Sequence, residues 1–366
     1  MRIGFYSDLV LNDNMIIDEV IEQKLLSTDF NCANLESPLY SGKKKSAKVG
    51  ICLFSKAKDI AFLKKYRFTT VNIANNHMMD FSVPGLVETI TKLKEGNIGY
   101  FGAGINEQEA QKPYIIRSSN ETIALWGFSW KYTGSVEARR KKAGISGISI
   151  NKIKEILEPY KEIENKIAYF HFGTEFEDYP EPYLKRLVEE LLNEGYLDLI
   201  IGNHPHCIQG VFEKKENGNI KRCFYSLGNF ILPEEEYHKG KLKYPPKSNL
   251  GFGIIYDTNT KEFEYVPYQI INQGREVKHS DKIELQQLLH TYSEPLKLQY
   301  KEYKKFYKIN RYGKKRPMFV YSDSLNKLIV FPFLAKIYTR YAFVSCCKFL
   351  LNSFGFKVVD RKVVRK

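Results

Sequence analysis

Through its first 270 residues the chain alternates short runs rich in β-branched and aromatic residues with stretches of helical period, and this alternation restricts it to an α/β architecture. "RIGFY", "FNCANL" and "TTVNIA" read as strands, and "PGLVETITKLKEG" as a helix with Pro near its start and Gly at its end. "IGYFGAG", "TIALWGFSW" and "KIAYFHF" add strands, "PYLKRLVEELLNEG" adds an amphipathic helix, and "YLDLIIG" a further strand. Beyond it, "GVFEKKENGNIKRCFYSLGNF" reads as a hairpin about "NGN", and "GFGIIYDTNTKEFEYVPYQII" as a second hairpin. The expectation is a sheet-rich α/β core ending in antiparallel strands, and 366 residues suffice to bury it and hold a cleft rigid.

The polar residues at the strand ends carry the chemistry. "FYSD" delivers Asp8, "CANLES" Glu36, "NIANNH" Asn75, Asn76 and His77, "YFHFGTE" His171 and Glu175, and "IIGNHPH" His204 and His206. In an α/β sheet the loops at the carboxyl ends of strands converge on one crevice, so five loops bring carboxylates, amides and imidazoles together. Such oxygen and nitrogen donors suit divalent transition metals, and a pair of ions about 3.5–4 Å apart needs a bridging carboxylate. Pro205 is expected to hold the chain extended, so that His204 and His206, at i and i+2, point to one side. One histidine after one strand is most often a hydrogen-bonded structural residue; the weight lies in all five strand ends carrying metal-capable groups.

Composition narrows the class. At 43% hydrophobic and 14% aromatic the chain is globular rather than disordered. The formal charge of +14 is unevenly placed: 21 Lys and Arg against 7 Asp and Glu lie from Ile271 onward, leaving 35 of each sign before it. The high pI therefore describes the C-terminal quarter alone. Cys32, Cys52, Cys207, Cys223, Cys346 and Cys347 show no CxxC spacing and are expected to be reduced thiols, with Cys207 a small buried apolar residue. "MRIGFYSDLV" lacks the apolar core of a signal peptide, so a cytoplasmic location is expected.

"NLESPL", "ANNHMMDFSVPGL", "HFGTEF", "GNHPHCIQGV" and "YSLGNFIL", in this order, resemble the motif set of the CapA family, named for capsule and poly-γ-glutamate synthesis and related to the calcineurin-like metallophosphoesterases. The resemblance covers roughly residues 1 to 260 and implies a two-sheet, metallophosphoesterase-like α/β sandwich with its site at the sheets' edge. It further implies that Asp8 and His206 hold one divalent ion, that Glu36 bridges, and that Asn76, His171 and His204 hold the other, with one or two ions of Mn, Fe or Zn. His77 would act as general acid, with Glu175 as a second catalytic residue; Asp80 and Tyr225 to Phe230 would support the ligands or face substrate. Two departures stand out. The phosphoesterase pattern Asp-x-His has Val10 at the histidine position, and the usual Gly-Asp start is Ser7-Asp8, so the first ion's position is a ligand poorer.

The expected organisation is a CapA-like domain over residues 1–270 and a basic, partly helical C-terminal extension over 271–366. The leading functional expectation is a metal-dependent hydrolase of capsule or surface-polymer biosynthesis, acting on a phosphoester or γ-glutamyl-type bond of an anionic polymer or phosphoester substrate. The alternative is a non-catalytic, metal-binding subunit of a polymer synthesis complex. Retention of His77 and Glu175, which structural metal binding does not need, favours the enzyme. "KEYKKFYKINRYGKKR", residues 301–316, interleaves tyrosine with basic residues, but no zinc-finger or RNP-type motif accompanies it and no nucleic-acid partner is expected. In "KLIVFPFLAKIYTRYAFVSCCKFLLNSFGF", residues 327–356, Pro332, Lys336, Arg340 and Lys348 interrupt the apolar run, so a spanning helix is not expected. Residues 301–356 instead suit a contact with the anionic inner face of a membrane.

Overall fold

A computed structural model describes residues 1–311, apart from 13, 43–45, 47–50, 57–58, 120, 217–218 and 234–243, together with 356–359 and 362–365. Two sheets carry the molecule. In the first, the order is Ile16–Ile17, Glu276–His279, Phe263–Ile271, Leu250–Asp257, Arg2–Leu9, Phe30–Leu35, Phe68–Asn72 and Gly99–Phe101, with Asn229–Ile231 pairing parallel to the end of Arg2–Leu9. In the second, the order is Val211–Glu216, Asn219–Phe224, Leu199–Asn203, Asn165–His171, Thr122–Ser129 and Tyr114–Arg117. The central strands of each sheet run parallel, and both hairpins expected from the sequence form at the antiparallel margins.

Strand periodicity sorts the side chains into three cores. Ile3 and Phe5 face Ile167, Tyr169, Leu125 and Ile201 between the sheets. Tyr6, Ala33 and Val71 point the other way, onto Ile21, Leu25, Leu86 and Leu93 of the helices Glu19–Leu26 and Ser82–Glu95. Trp126, Phe128, Phe170 and Ile200 meet Leu184, Leu187, Val188 and Leu191 of the helix Pro182–Asn193. The result is an α/β sandwich with helices outside both sheets. Tyr169 bolts the sheets together, its hydroxyl donating to the carbonyls of Tyr6 (3.1 Å) and Cys32 (2.8 Å).

The boundary expected after residue 270 falls inside the strand Phe263–Ile271. Past it, Val277 enters the first core, Leu285 of the helix Lys282–Ser293 the inter-sheet core, and Tyr303 of the helix Tyr300–Asn310 the third. Tyr303 donates to the carbonyl of Pro180 (2.7 Å) and Phe306 and Tyr307 pack beside it, while Lys301, Lys304, Lys305 and Lys308 stay exposed, so an aromatic face docks a basic helix. Residues 327–355 of the apolar tail lie outside the described residues. Among the described residues no helix is long and apolar enough to cross a membrane. Phe356–Val359 pairs antiparallel with Lys362–Arg365.

Candidate metal centre

The parallel registers bring the polar strand ends to one level. Asp8 lies opposite Asn34 on one side and Asn229 on the other, Asn34 opposite Asn72, and His171 opposite both Asn203 and Ser129. Asp8 is thus inside its strand rather than after it, Glu36 and His204 follow theirs directly, and Asn75 to His77 come after Ile73 and Ala74. Ser7 Oγ donates to Asn203 Oδ1 (2.9 Å), tying the two sheets together at this edge. Close approach here depends on Gly127: a Cβ on it would stand 2.0 Å from Asn72 Oδ1.

The residues singled out from the sequence do meet. A ligand atom from each of Asp8, Glu36 and His206 lies within 4.8 Å of the other two, and the same holds for Glu36, His171 and His204, and for Glu175, His204 and His206. Asn76 Oδ1 stands 2.9 Å from His171 Nε2, and Glu36 Oε1 is 3.7 Å from His171 Nε2 and 3.8 Å from His206 Nε2. Two donors each about 2.1 Å from a common ion are separated by about 3–4 Å, so this spacing fits shared coordination. Glu36 and Asp8 are fully buried, and neither oxygen of Glu36 has a hydrogen-bond partner, nor has His204 Nδ1. A carboxylate so placed has no hydrogen bond to compensate its buried charge, and a cation, protonated His206 or a metal ion, provides that compensation.

The surrounding groups fix these side chains. Asn34 Nδ2 donates to Asp8 Oδ1 (2.7 Å), and the backbone N–H of His204 donates to Asp8 Oδ2 (3.2 Å). Asn34 Oδ1 in turn accepts from Asn72 (2.7 Å) and Asn75 (3.2 Å). Asn229 Oδ1 accepts from His206 Nδ1 (2.8 Å), which sets the tautomer and leaves Nε2 facing Glu36. His77 Nδ1 donates to Asp80 Oδ2 (2.7 Å), and the N–H groups of His77 and Met78 both donate to Asn75 Oδ1, so ring and backbone of His77 are held together.

Burial, and then the neighbouring imidazoles, hold His171 and His204 well below the usual histidine range, which keeps their lone pairs available. Burial pushes Glu36 well above the usual carboxylate range, reinforced by Asp8. For His206 burial acts downward, yet Glu36 and Asp8 outweigh it and raise the imidazole to about 10. The buried carboxylates therefore draw positive charge into the cluster, with the neutral nitrogens of His171 and His204 beside them.

One expectation is corrected. The chain at Pro205 is not extended: His204 (φ 95°) and His206 (φ 54°) both take left-handed backbone, and the segment bends. Their rings, 5.8 Å apart between centroids, are brought together by this bend and not by strand alternation. Non-glycine residues held at positive φ cost of order 1–3 kcal/mol each and concentrate at functional sites. Cys207 is buried, its thiol directed at the carbonyl of Glu177 (3.3 Å), and takes no part in the cluster.

The asparagines Asn34, Asn72, Asn203 and Asn229 were not singled out as site residues from the sequence. Their signal was present: asparagine is depleted in strands, yet here it closes two strands, at Asn72 and Asn203, stands next to last in a third, at Asn34, and opens a fourth, at Asn229.

Two helix-backed sheets whose edge gathers imidazoles, carboxylates and amides define an α/β sandwich protein with a candidate centre for divalent metal. Residues 13–234 match the family described as bacterial capsule synthesis protein PGA_cap, and the chain belongs to that family. It is 29% identical over 218 residues to the capsule biosynthesis protein CapA of Bacillus anthracis, covering 57% of this chain and 52% of that one. It is 28% identical over 256 residues to the PGA biosynthesis protein CapA of Bacillus subtilis (strain 168), covering 64% and 66%. The chain thus spans between about half and two thirds of the length of these relatives. Among solved structures it is similar to the calcineurin-like phosphoesterase YfkN of Bacillus subtilis, at TM-score 0.41 and 12% identity over 77% of this chain and 88% of that one.

Proposed function

We propose that the chain is a metal-dependent hydrolase of the CapA type, serving capsule or poly-γ-glutamate-like polymer biosynthesis and acting on a phosphoester or γ-glutamyl-type bond. The observation that carries this reading is Glu36: a fully buried carboxylate without a hydrogen-bond partner, ringed by Asp8, His171, His204 and His206. Glu36, Asn76, His171 and His204 would hold an inner ion, and Asp8, Glu36 and His206 an outer one, with Glu36 shared. Such ions, when bound, supply Lewis acidity and lower the pKa of water to about 7 in favourable sites. The protein's own groups do the rest. Asn34 and Asn229 orient Asp8 and His206, and Asp80, accepting from Nδ1 of His77, favours the imidazolium, whose Nε2–H would deliver a proton to the leaving group and leave the ring neutral.

The names of the Bacillus relatives support placing the substrate among anionic surface polymers. The exposed lysines of the helix Tyr300–Asn310 suit the same partner or an anionic membrane face. The test is elemental analysis of the full-length protein, followed by a screen of aryl phosphoesters and γ-glutamyl anilides with Mn²⁺. Metal binding with turnover that fails in His77→Ala is the expected result. A protein that binds no divalent ion refutes the proposal; one that binds metal and turns over neither substrate class is instead a metal-binding subunit of a polymer synthesis complex.

A further inference from the structure

The inner position has four donors within reach, Glu36, Asn76, His171 and His204, whereas the outer one has three, Asp8, Glu36 and His206. The wall beyond Asp8 cannot supply a fourth, because Val10 is fully buried there against Leu53 and Leu232. On the open side stands Glu175, an exposed residue whose carboxylate lies within 4.8 Å of nitrogens of both His204 and His206.

An exposed glutamate on a loop ordinarily wanders, and this one is braced from both sides. The N–H of Phe176 donates to the carbonyl of Pro205 (2.8 Å), and the Phe176 ring lies 6.1 Å from that of His206. Lys247 Nζ donates to the carbonyl of Phe176 (2.6 Å), and Gln209 Nε2 to that of Glu177 (2.8 Å). Gly173 (φ 95°) and Phe176 (φ 62°) bend the loop into this position, Phe176 at a steric cost that glycine does not bear. The loop carrying Glu175 is therefore fastened to the segment carrying both histidines, which keeps the carboxylate within reach of them.

We propose that Glu175, whose carboxylate lies with His204 and His206 rather than with Asp8 and Glu36, turns onto the outer position and completes it as a metal ligand from the solvent side. This rests on the two-position reading above and changes its chemistry. With Asp8, Glu36 and Glu175 against one imidazole, the outer set is oxygen-rich and favours Mn²⁺ or Mg²⁺, whereas the inner set, with two imidazoles, favours Zn²⁺ or Fe²⁺.

The test is Mn²⁺ binding to the full-length protein, read as free Mn²⁺ by electron paramagnetic resonance and as bound Mn²⁺ by elemental analysis after dialysis. Wild type is expected to hold two ions. Glu175→Gln should hold one and bind the second at least about tenfold more weakly, the range in which even supporting partners of a ligand act. Glu175→His, neutral but a ligand, should recover most of that loss, which separates ligation from charge attraction. Because Glu175 is exposed, each variant should match wild type in metal-free thermal stability. Wild-type Mn²⁺ affinity and stoichiometry in Glu175→Gln, or binding by Glu175→His as weak as by Glu175→Gln, overturns the assignment and leaves the metal centre standing. A wild type that binds no ion overturns the proposed function as well.

Discussion

Replacing Glu36 by Gln should stabilise the protein without metal and destabilise it with metal, and this reversal tests the central reading of the site. In the metal-free protein the carboxylate is fully buried, neither oxygen is hydrogen-bonded, and Asp8 adds like charge. A buried unsatisfied polar group costs about 1–3 kcal/mol and a charged one more, so removing the charge is worth about 2 kcal/mol. For a domain of this size that is a rise in Tm on the order of 4 °C. The sign with pH follows from the raised pKa. Folded Glu36 binds a proton at pH values where the unfolded chain has released it, so wild-type stability falls as pH rises from about 4.5 upward, and the Gln variant escapes this fall. The advantage of Glu36→Gln in EDTA should therefore be small near pH 4.5 and grow toward pH 8. With Mn²⁺ at about 100 times its Kd, wild type gains about 2.7 kcal/mol, which the variant forfeits, and the order inverts. Scanning calorimetry in EDTA and in Mn²⁺, at both ends of this range, reads all four states. A variant less stable than wild type in EDTA at the alkaline end, or shifted equally in EDTA and Mn²⁺, refutes the reasoning.

His77→Ala should keep its metal by elemental analysis yet lose about 10²–10⁴ in turnover, and Asp80→Asn should lose part of that while shifting the acid limb of the pH–rate profile. His204→Gly and His204→Ala should both lose bound metal, but the Gly variant should be the more stable by about 1 kcal/mol in denaturant melts, since residue 204 sits at φ 95°. The Glu181 carboxyl, raised to about 7 by burial against the pull of its hydrogen bond from Thr174, should make stability decline between about pH 4.5 and 7; Glu181→Gln should flatten that slope in thermal melts. The full-length protein is expected to float with anionic liposomes in low salt and release as salt rises, and a chain truncated after Asn310 that floats equally well would remove residues 311–356 from the contact.

Local sequence determined the elements and the list of reactive groups. Period-two alternation in "RIGFY" and "KIAYFHF" already separates the residues between the sheets from those beneath the helices, and turn chemistry at "NGN" marks its hairpin. Asp8, Glu36, Asn76, His77, His171, His204 and His206 were legible because each ends or follows an apolar run, and parallel strands deliver their ends to one edge. Three things were decided only by the tertiary structure. Asn34 and Asn229 act on partners 26 and 23 residues away, Asp8 and His206, which no local pattern encodes. The left-handed turn at His204 and His206 is imposed by what brackets it, including the Phe176 N–H on the Pro205 carbonyl, against the intrinsic preference of both residues. The segment after Ile271 looked separate because its charge is basic, yet over its described residues 272–311 Val277, Leu285 and Tyr303 hold it in the cores: burial of a few apolar side chains fixes where a segment packs, while its net charge describes only the face left in water.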